Sequence, residues 1–164
     1  MGQANPLDYA IQLERDGQAF YAKAAAETKS PLGRKMYESL AADERRHEAI
    51  LRDVAKKMAV SLEGDLPKQR LVTLFATLGP DLKAQLGADP SDSAVIGKAI
   101  EMEKASVDLY QKQGAASDAA QRALYERLAQ EEAQHVDILR NTLTYLDRTA
   151  SWFLWDEQAL LDGG

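Results

Sequence analysis

The chain of 164 residues contains no cysteine. That absence excludes disulfides, iron–sulfur clusters, thiolate zinc sites and a cysteine nucleophile, so any metal must be held by oxygen and imidazole. Imidazole is itself scarce, since the only histidines are His47 and His135. Basic charge is in deficit: 20 Lys and Arg against 26 Asp and Glu leave a net charge of −6, and the pI is near 5.0. Nucleic-acid binding needs clustered Lys and Arg to displace counterions, so no nucleic-acid partner is expected. Nowhere does an apolar run reach the length that spans a bilayer, and the opening MGQANPLDYA has no basic stretch followed by an apolar one. These absences point to a soluble, cytoplasmic protein with no membrane partner. The length suits one domain with a real core, residues 1–164.

What is present is helical periodicity. Four long segments carry apolar residues at three- and four-residue intervals, and almost nothing reads as a strand. Asn5-Pro6 opens the first, which runs to about Glu27 with Ala10, Leu13, Gly17, Phe20, Tyr21 and Ala24 on one stripe. Ser30-Pro31 opens the second, which carries Tyr37, Leu40, Leu51, Val54 and Met58 inward and extends to about Ala59. Residues 59–91 then form a glycine- and proline-punctuated crossover, with a short helix expected at LVTLFATL. The third segment begins near Ser91 or Asp92 and ends near Gly114, with Ile96, Ala99 and Tyr110 inward. The fourth starts near Ser117 and continues past Leu139, with Tyr125, Leu128 and Leu139 inward. Residues 148–164, aromatic and then glycine-terminated, are expected to strap the bundle.

The chain repeats itself at a shift of 88 or 89 positions. MYESLAADERRHEAIL (Met36 to Leu51) lies over LYERLAQEEAQHVDIL (Leu124 to Leu139), and AIQLERDGQAFY (Ala10 to Tyr21) over AIEMEKASVDLY (Ala99 to Tyr110). A helical hairpin has been duplicated. The register pairs Glu14 with Glu103, Glu44 with Glu132, His47 with His135 and Tyr21 with Tyr110. Glu101, two residues before Glu103 and so about 200° around the helix, should face solvent.

Six of these residues sit where the periodicity demands an apolar side chain: Glu14, Glu44, His47, Glu103, Glu132 and His135. A carboxylate in a bundle core must be paired, protonated or metal-bound to escape a penalty of several kcal/mol. Residues three apart share a helix face, so each Glu-x-x-His can offer a carboxylate and an imidazole to one ion or to two adjacent ions. A lone Glu-x-x-His is weak evidence, more often a solvated face than a metal site. Chance would place a glutamate three residues before both histidines only about half a per cent of the time, which favours the metal reading. Four carboxylates and two imidazoles suit iron or manganese better than copper, and offer more oxygen than a usual zinc site. Tyr21 and Tyr110, seven residues after Glu14 and Glu103, are placed either to pack or to hydrogen-bond a ligand carboxylate.

One Glu from each of two helices, with Glu-x-x-His from each of the other two, resembles the ferritin-like dinuclear carboxylate proteins. The pairing of LERDGQAFY with ADERRHEAIL, and of MEKASVDLY with QEEAQHVDIL, resembles the rubrerythrin family over essentially the whole chain. The resemblance implies an all-α, antiparallel four-helix bundle with a long crossover between the second and third helices. It implies two iron ions, with manganese or zinc able to take their place. Glu44 and Glu132 would bridge the pair, Glu14 and His47 would complete one position, and Glu103 and His135 the other. Rubrerythrins also carry a cysteine-ligated rubredoxin module; without cysteine, electrons would have to come from a separate donor protein or reductant. Many have a further glutamate, associated with peroxide chemistry, three residues after the third-helix ligand, where this chain has Ser106. The expected activity is reduction of a small-molecule oxidant, peroxide or dioxygen. The alternatives are a ferroxidase or iron-handling protein of the bacterioferritin type, and a structural metal-binding interaction module. A homodimer or higher homo-oligomer is expected.

Overall fold

A computed structural model of the chain describes residues 6–57, 67 and 90–147. The described residues form four long helices: α1 (Pro6–Glu27), α2 (Pro31–Ala55), α3 (Pro90–Ala115) and α4 (Ala119–Asp147). No strand occurs among the described residues. The fold is an all-α, antiparallel four-helix bundle, as the resemblance implies.

Both hairpins are closed by three-residue turns whose last residue caps the next helix. Ser30 takes an extended conformation (φ −81°, ψ 119°), and its Oγ accepts a hydrogen bond from the Gly33 backbone N–H at 3.1 Å, with Pro31 preset for the first turn. At the equivalent place in the repeat, Asp118 Oδ1 accepts from the Gln121 backbone N–H at 2.9 Å. Turns this short force antiparallel neighbours, so α1 packs along α2 and α3 along α4, while α1 also touches α3.

The apolar core comes in two halves. Tyr21, Tyr37, Leu40, Ile96, Ile138 and Leu139 belong to one buried cluster. Ala10, Leu51, Tyr110, Leu124, Tyr125 and Leu128 belong to the other. On every helix the polar positions fall between a member of one cluster and a member of the other. Each fully buried leucine contributes about 2 kcal/mol, and this is what offsets the cost of the polar layer between.

The helix ends and one stripe differ from expectation. α2 stops at Ala55 rather than running to Ala59, because Lys56 leaves the helical conformation and Lys57 has a left-handed φ of 56°. α3 starts at Pro90, so it takes in the last two residues assigned to the crossover. Leu13 and Phe20 are only partly buried, since the polar layer takes the centre of the α1 stripe. Glu101 faces solvent as expected and pairs with Lys104 at 2.7 Å. The Asn5 cap, Met58, the LVTLFATL helix and the strap at 148–164 lie outside the described residues. Among the described residues no helix is long and apolar enough to cross a membrane.

Candidate metal centre

The structure brings together all six residues singled out from the sequence, between the two halves of the core. Glu14 comes from α1, Glu44 and His47 from α2, Glu103 from α3, and Glu132 and His135 from α4, and each is at most 3% exposed. They form two overlapping groups, Glu14, Glu44, His47, Glu132 and Glu44, Glu103, Glu132, His135, in which one donor atom per residue lies within 4.8 Å of the rest. Glu44 and Glu132 belong to both. The imidazoles are roughly parallel, with ring centroids 5.8 Å apart.

Both histidines point Nδ1 into the cluster. His47 Nδ1 is 2.8 Å from Glu132 Oε1 and 3.4 Å from Glu14 Oε2. His135 Nδ1 is 2.9 Å from Glu132 Oε2, 3.3 Å from Glu44 Oε1 and 3.4 Å from Glu103 Oε1. The other ring nitrogen is held from behind by a carboxylate of the opposite hairpin. His47 Nε2–H donates to Glu131 Oε2 at 3.0 Å, and His135 Nε2–H donates to Asp43 Oδ2 at 3.2 Å. This fixes the ring orientation and leaves Nδ1 as the free donor.

The tyrosines cross in the same way. Tyr21 donates its hydroxyl to Glu103 Oε1 and Tyr110 to Glu14 Oε1, each reaching the carboxylate of the other hairpin. Behind them lie two stacks, Tyr21 on Tyr37 at 6.3 Å and Tyr110 on Tyr125 at 6.1 Å between centroids. Residues 37 and 125 are also repeat equivalents, so the whole layer has an approximate two-fold axis.

Asp43 and Glu131 were not singled out from the sequence. The repeat aligns them, each immediately before a shared glutamate, but a carboxylate one position off the inward stripe reads as a surface residue. They are buried instead, at 3% and 1% exposed. Arg46 and Arg127 reach Glu131 from the edge of the bundle.

Electrostatics in the cluster follow from burial and mutual charge. Burial raises the Glu14 carboxyl well above its ordinary 4.5, and the Glu132 and Glu44 charges push it further; Glu103 behaves alike beside Glu44 and Glu132. Burial disfavours an imidazolium, but surrounding carboxylates outweigh it. Glu132 and Glu131 raise His47, and Glu103, Asp43 and Glu132 raise His135, both well above 6.5. Although burial opposes its charge too, Glu132 is held far below the usual carboxylate range by the two imidazoles.

The donor set fits a pair of metal ions. Glu14 Oε2, Glu44 Oε1, His47 Nδ1, both Glu132 carboxylate oxygens and His135 Nδ1 are buried and make no hydrogen bond. Buried polar groups in proteins are normally satisfied, and a cation shared among these six converging atoms would satisfy them all at once. Ligands about 2.1 Å from an ion at right angles stand about 3 Å apart, close to the spacings around Nδ1. Gly17 on α1 leaves room for this convergence, because a Cβ there would come within 2.9 Å of Glu44 Oε2.

Four antiparallel helices around a buried layer of glutamates and paired histidines define a ferritin-like dinuclear carboxylate protein. The Rubrerythrin family model matches residues 5–143, which includes every one of these side chains, and the chain belongs to that di-iron family. Searches of the curated proteins and of the solved structures gave no match.

Proposed function

We propose that the chain is a dinuclear iron redox protein that reduces peroxide or dioxygen with electrons from a separate donor. The observation that carries this reading is the pair of donor groups sharing Glu44 and Glu132, with their unsatisfied atoms turned inward. In this reading Glu44 and Glu132 would be shared by the two ions, Glu14 and His47 would complete one position, and Glu103 and His135 the other. Bound iron would supply the electrons that reduce the oxygen–oxygen bond. Asp43 and Glu131 hold the imidazole rings in ligating orientation. Tyr21, whose phenol is held protonated by burial and by the Glu103 charge, stays a donor and keeps Glu103 turned toward its position. Tyr110 orients Glu14 in the same way. The apolar clusters on either side exclude bulk water, which strengthens every electrostatic contact within the layer.

A second reading, ferroxidase or iron handling, is favoured by Ser106. It is buried on α3 one turn beyond Glu103, where many rubrerythrins supply a further carboxylate. Its short side chain leaves a less acidic environment for that half of the layer, which favours exchange of iron over its retention. The test is metal analysis of aerobically purified protein, followed by oxidation of the reduced site with peroxide and with oxygen in separate anaerobic mixing experiments. Two irons per chain and faster reaction with peroxide support the first reading. Faster reaction with oxygen, with release of ferric iron, supports the second, and Ser106→Glu should then move the ratio toward peroxide. Glu44→Ala should lower occupancy at both positions. Loss of one ion alone would remove Glu44 from the bridging role.

A further inference from the structure

Two phenols sit at the edge of the buried layer in a way that packing alone does not require. Tyr21 and Tyr110 are repeat equivalents, and both are fully buried. Phenylalanine would fill the same volume without bringing a hydroxyl that must be satisfied away from water. Each hydroxyl donates to one carboxylate of the opposite hairpin, Tyr21 to Glu103 Oε1 and Tyr110 to Glu14 Oε1. Those same carboxylates turn toward the donor cluster: Glu14 Oε2 lies 3.4 Å from His47 Nδ1, and Glu103 Oε1 lies 3.4 Å from His135 Nδ1. One carboxylate therefore stands between each phenol and one metal position. Tyr21 lies in one apolar half and Tyr110 in the other, and each has a second tyrosine ring behind it, Tyr37 at 6.3 Å and Tyr125 at 6.1 Å.

We propose that Tyr21 and Tyr110 are redox-active and supply one electron each when the reduced centre meets dioxygen with no external donor at hand. The inference rests on the dinuclear iron reading above. Turning dioxygen into two waters takes four electrons and four protons, and a ferrous pair supplies only two of the electrons. The two phenols supply the other two. Each loses its hydroxyl proton along the hydrogen bond it already makes, to Glu103 or Glu14 and from there to the oxygen being reduced. Solvent supplies the remaining two protons. The products are two waters, a ferric pair and two phenoxyl groups, so charge and hydrogen balance. Without the phenols, the same ferrous pair takes dioxygen only as far as peroxide and releases it. The carboxylate matters to the step, because an electron leaves a buried phenol readily only where its proton has somewhere to go and no charge is stranded in the core. Burial protects the product, since a phenoxyl in an apolar pocket is kept from solvent and from side reactions. The separate donor then returns the phenoxyl groups to phenols.

The experiment loads the full-length protein anaerobically with iron(II), adds dioxygen in single-turnover amount without any reductant, and freezes samples early for electron paramagnetic resonance. Released peroxide is assayed in parallel. Wild type is expected to show a tyrosyl signal of about one to two spins per chain, and to release peroxide amounting to less than about a tenth of the dioxygen consumed. Growth on ring-deuterated tyrosine should narrow that signal, which identifies its carrier in the unaltered chain. Tyr21→Phe and Tyr110→Phe should each remove about half of it, and the double variant should abolish it and raise released peroxide about tenfold. Iron content is measured for every variant, since a phenol that only orients its carboxylate would alter the iron bound and not the fate of the electrons per bound iron. The single variants and the labelled wild type carry the test even where the double variant fails to fold. A wild-type signal that is absent or unmoved by deuteration, or single variants that keep the full signal and the wild-type peroxide yield, would overturn the inference while leaving the dinuclear reading standing. Fewer than two irons bound per chain in wild type would overturn the dinuclear reading, and this inference with it.

Discussion

At the scale of single residues, the metal-free cluster is a proton store. His47, His135, Glu14 and Glu103 all have their proton affinity raised, by carboxylate neighbours for the rings and by burial for the acids. A metal can use these donors only when the protons leave, so loading near neutral pH should release about two to four of them per chain. Calorimetry in buffers of different ionisation heat counts them directly, and affinity should climb with pH; binding without proton release would show that the donors are not these. The carboxylates behind the rings matter at the same scale. Asp43→Asn and Glu131→Gln each keep the shape of the contact and remove the charge, and each should weaken metal binding about 10- to 100-fold while the helices remain folded. Equilibrium dialysis, with circular dichroism as the folding control, checks this.

At the scale of the helix, Gly17 sets a conflict between local propensity and the site. Glycine inside a helix costs about 1 kcal/mol relative to alanine, so on propensity alone Gly17→Ala should stabilise α1. A Cβ at that position would press on the Glu44 carboxylate at 2.9 Å. The expected result is a metal-free protein of equal or higher melting temperature that binds metal more weakly. A variant that gains stability and keeps full affinity would show that the carboxylate has room to move. The caps make a simpler case. Ser30→Ala removes the acceptor for the Gly33 N–H and should cost about 1 kcal/mol, read from chemical denaturation. Much of this scale was legible in sequence: Ser30-Pro31 marks the start of α2, and three- and four-residue spacing marks the buried faces. The end of α2 was not, because Ala55 to Ala59 has no proline or glycine stop, and the left-handed turn at Lys57 has no residue signature.

For the molecule as a whole, the same pKa shifts become a pH dependence of stability. Glu14 and Glu103 lie above their ordinary 4.5, and His47 and His135 above 6.5. A raised group contributes stability that is complete below its unfolded value and is lost as pH rises through its folded value. Glu131 and Glu132 are depressed, so their contribution is present above 4.5 and is lost as pH falls through their folded values. The metal-free bundle should therefore be most stable on the acid side of neutrality and should melt several degrees lower at about pH 8 than at about pH 6. Bound metal takes the place of the protons, so the loaded protein should lack that fall, and chelation at pH 8 should lower its melting temperature. Scanning calorimetry at both pH values, with and without metal, tests all of this. A metal-free protein that becomes more stable from pH 6 to 8 would contradict the raised values.

The sequence by itself determined the helical class, the duplication and the six inward polar positions, because periodicity and an internal repeat are properties of the chain in one dimension. A carboxylate on an apolar stripe is visible wherever the stripe is. What lies across from a stripe is not visible, and there the tertiary structure decided. Asp43 meets His135, Glu131 meets His47, Tyr21 meets Glu103 and Tyr110 meets Glu14, every pair 82 to 96 residues apart and each joining one hairpin to the other. Helix spacing says which way a side chain points, but a partner across the bundle depends on how two helices are set in height and rotation. That setting is fixed by packing of the two apolar halves, and it alone places Arg46 of one hairpin against Glu131 of the other.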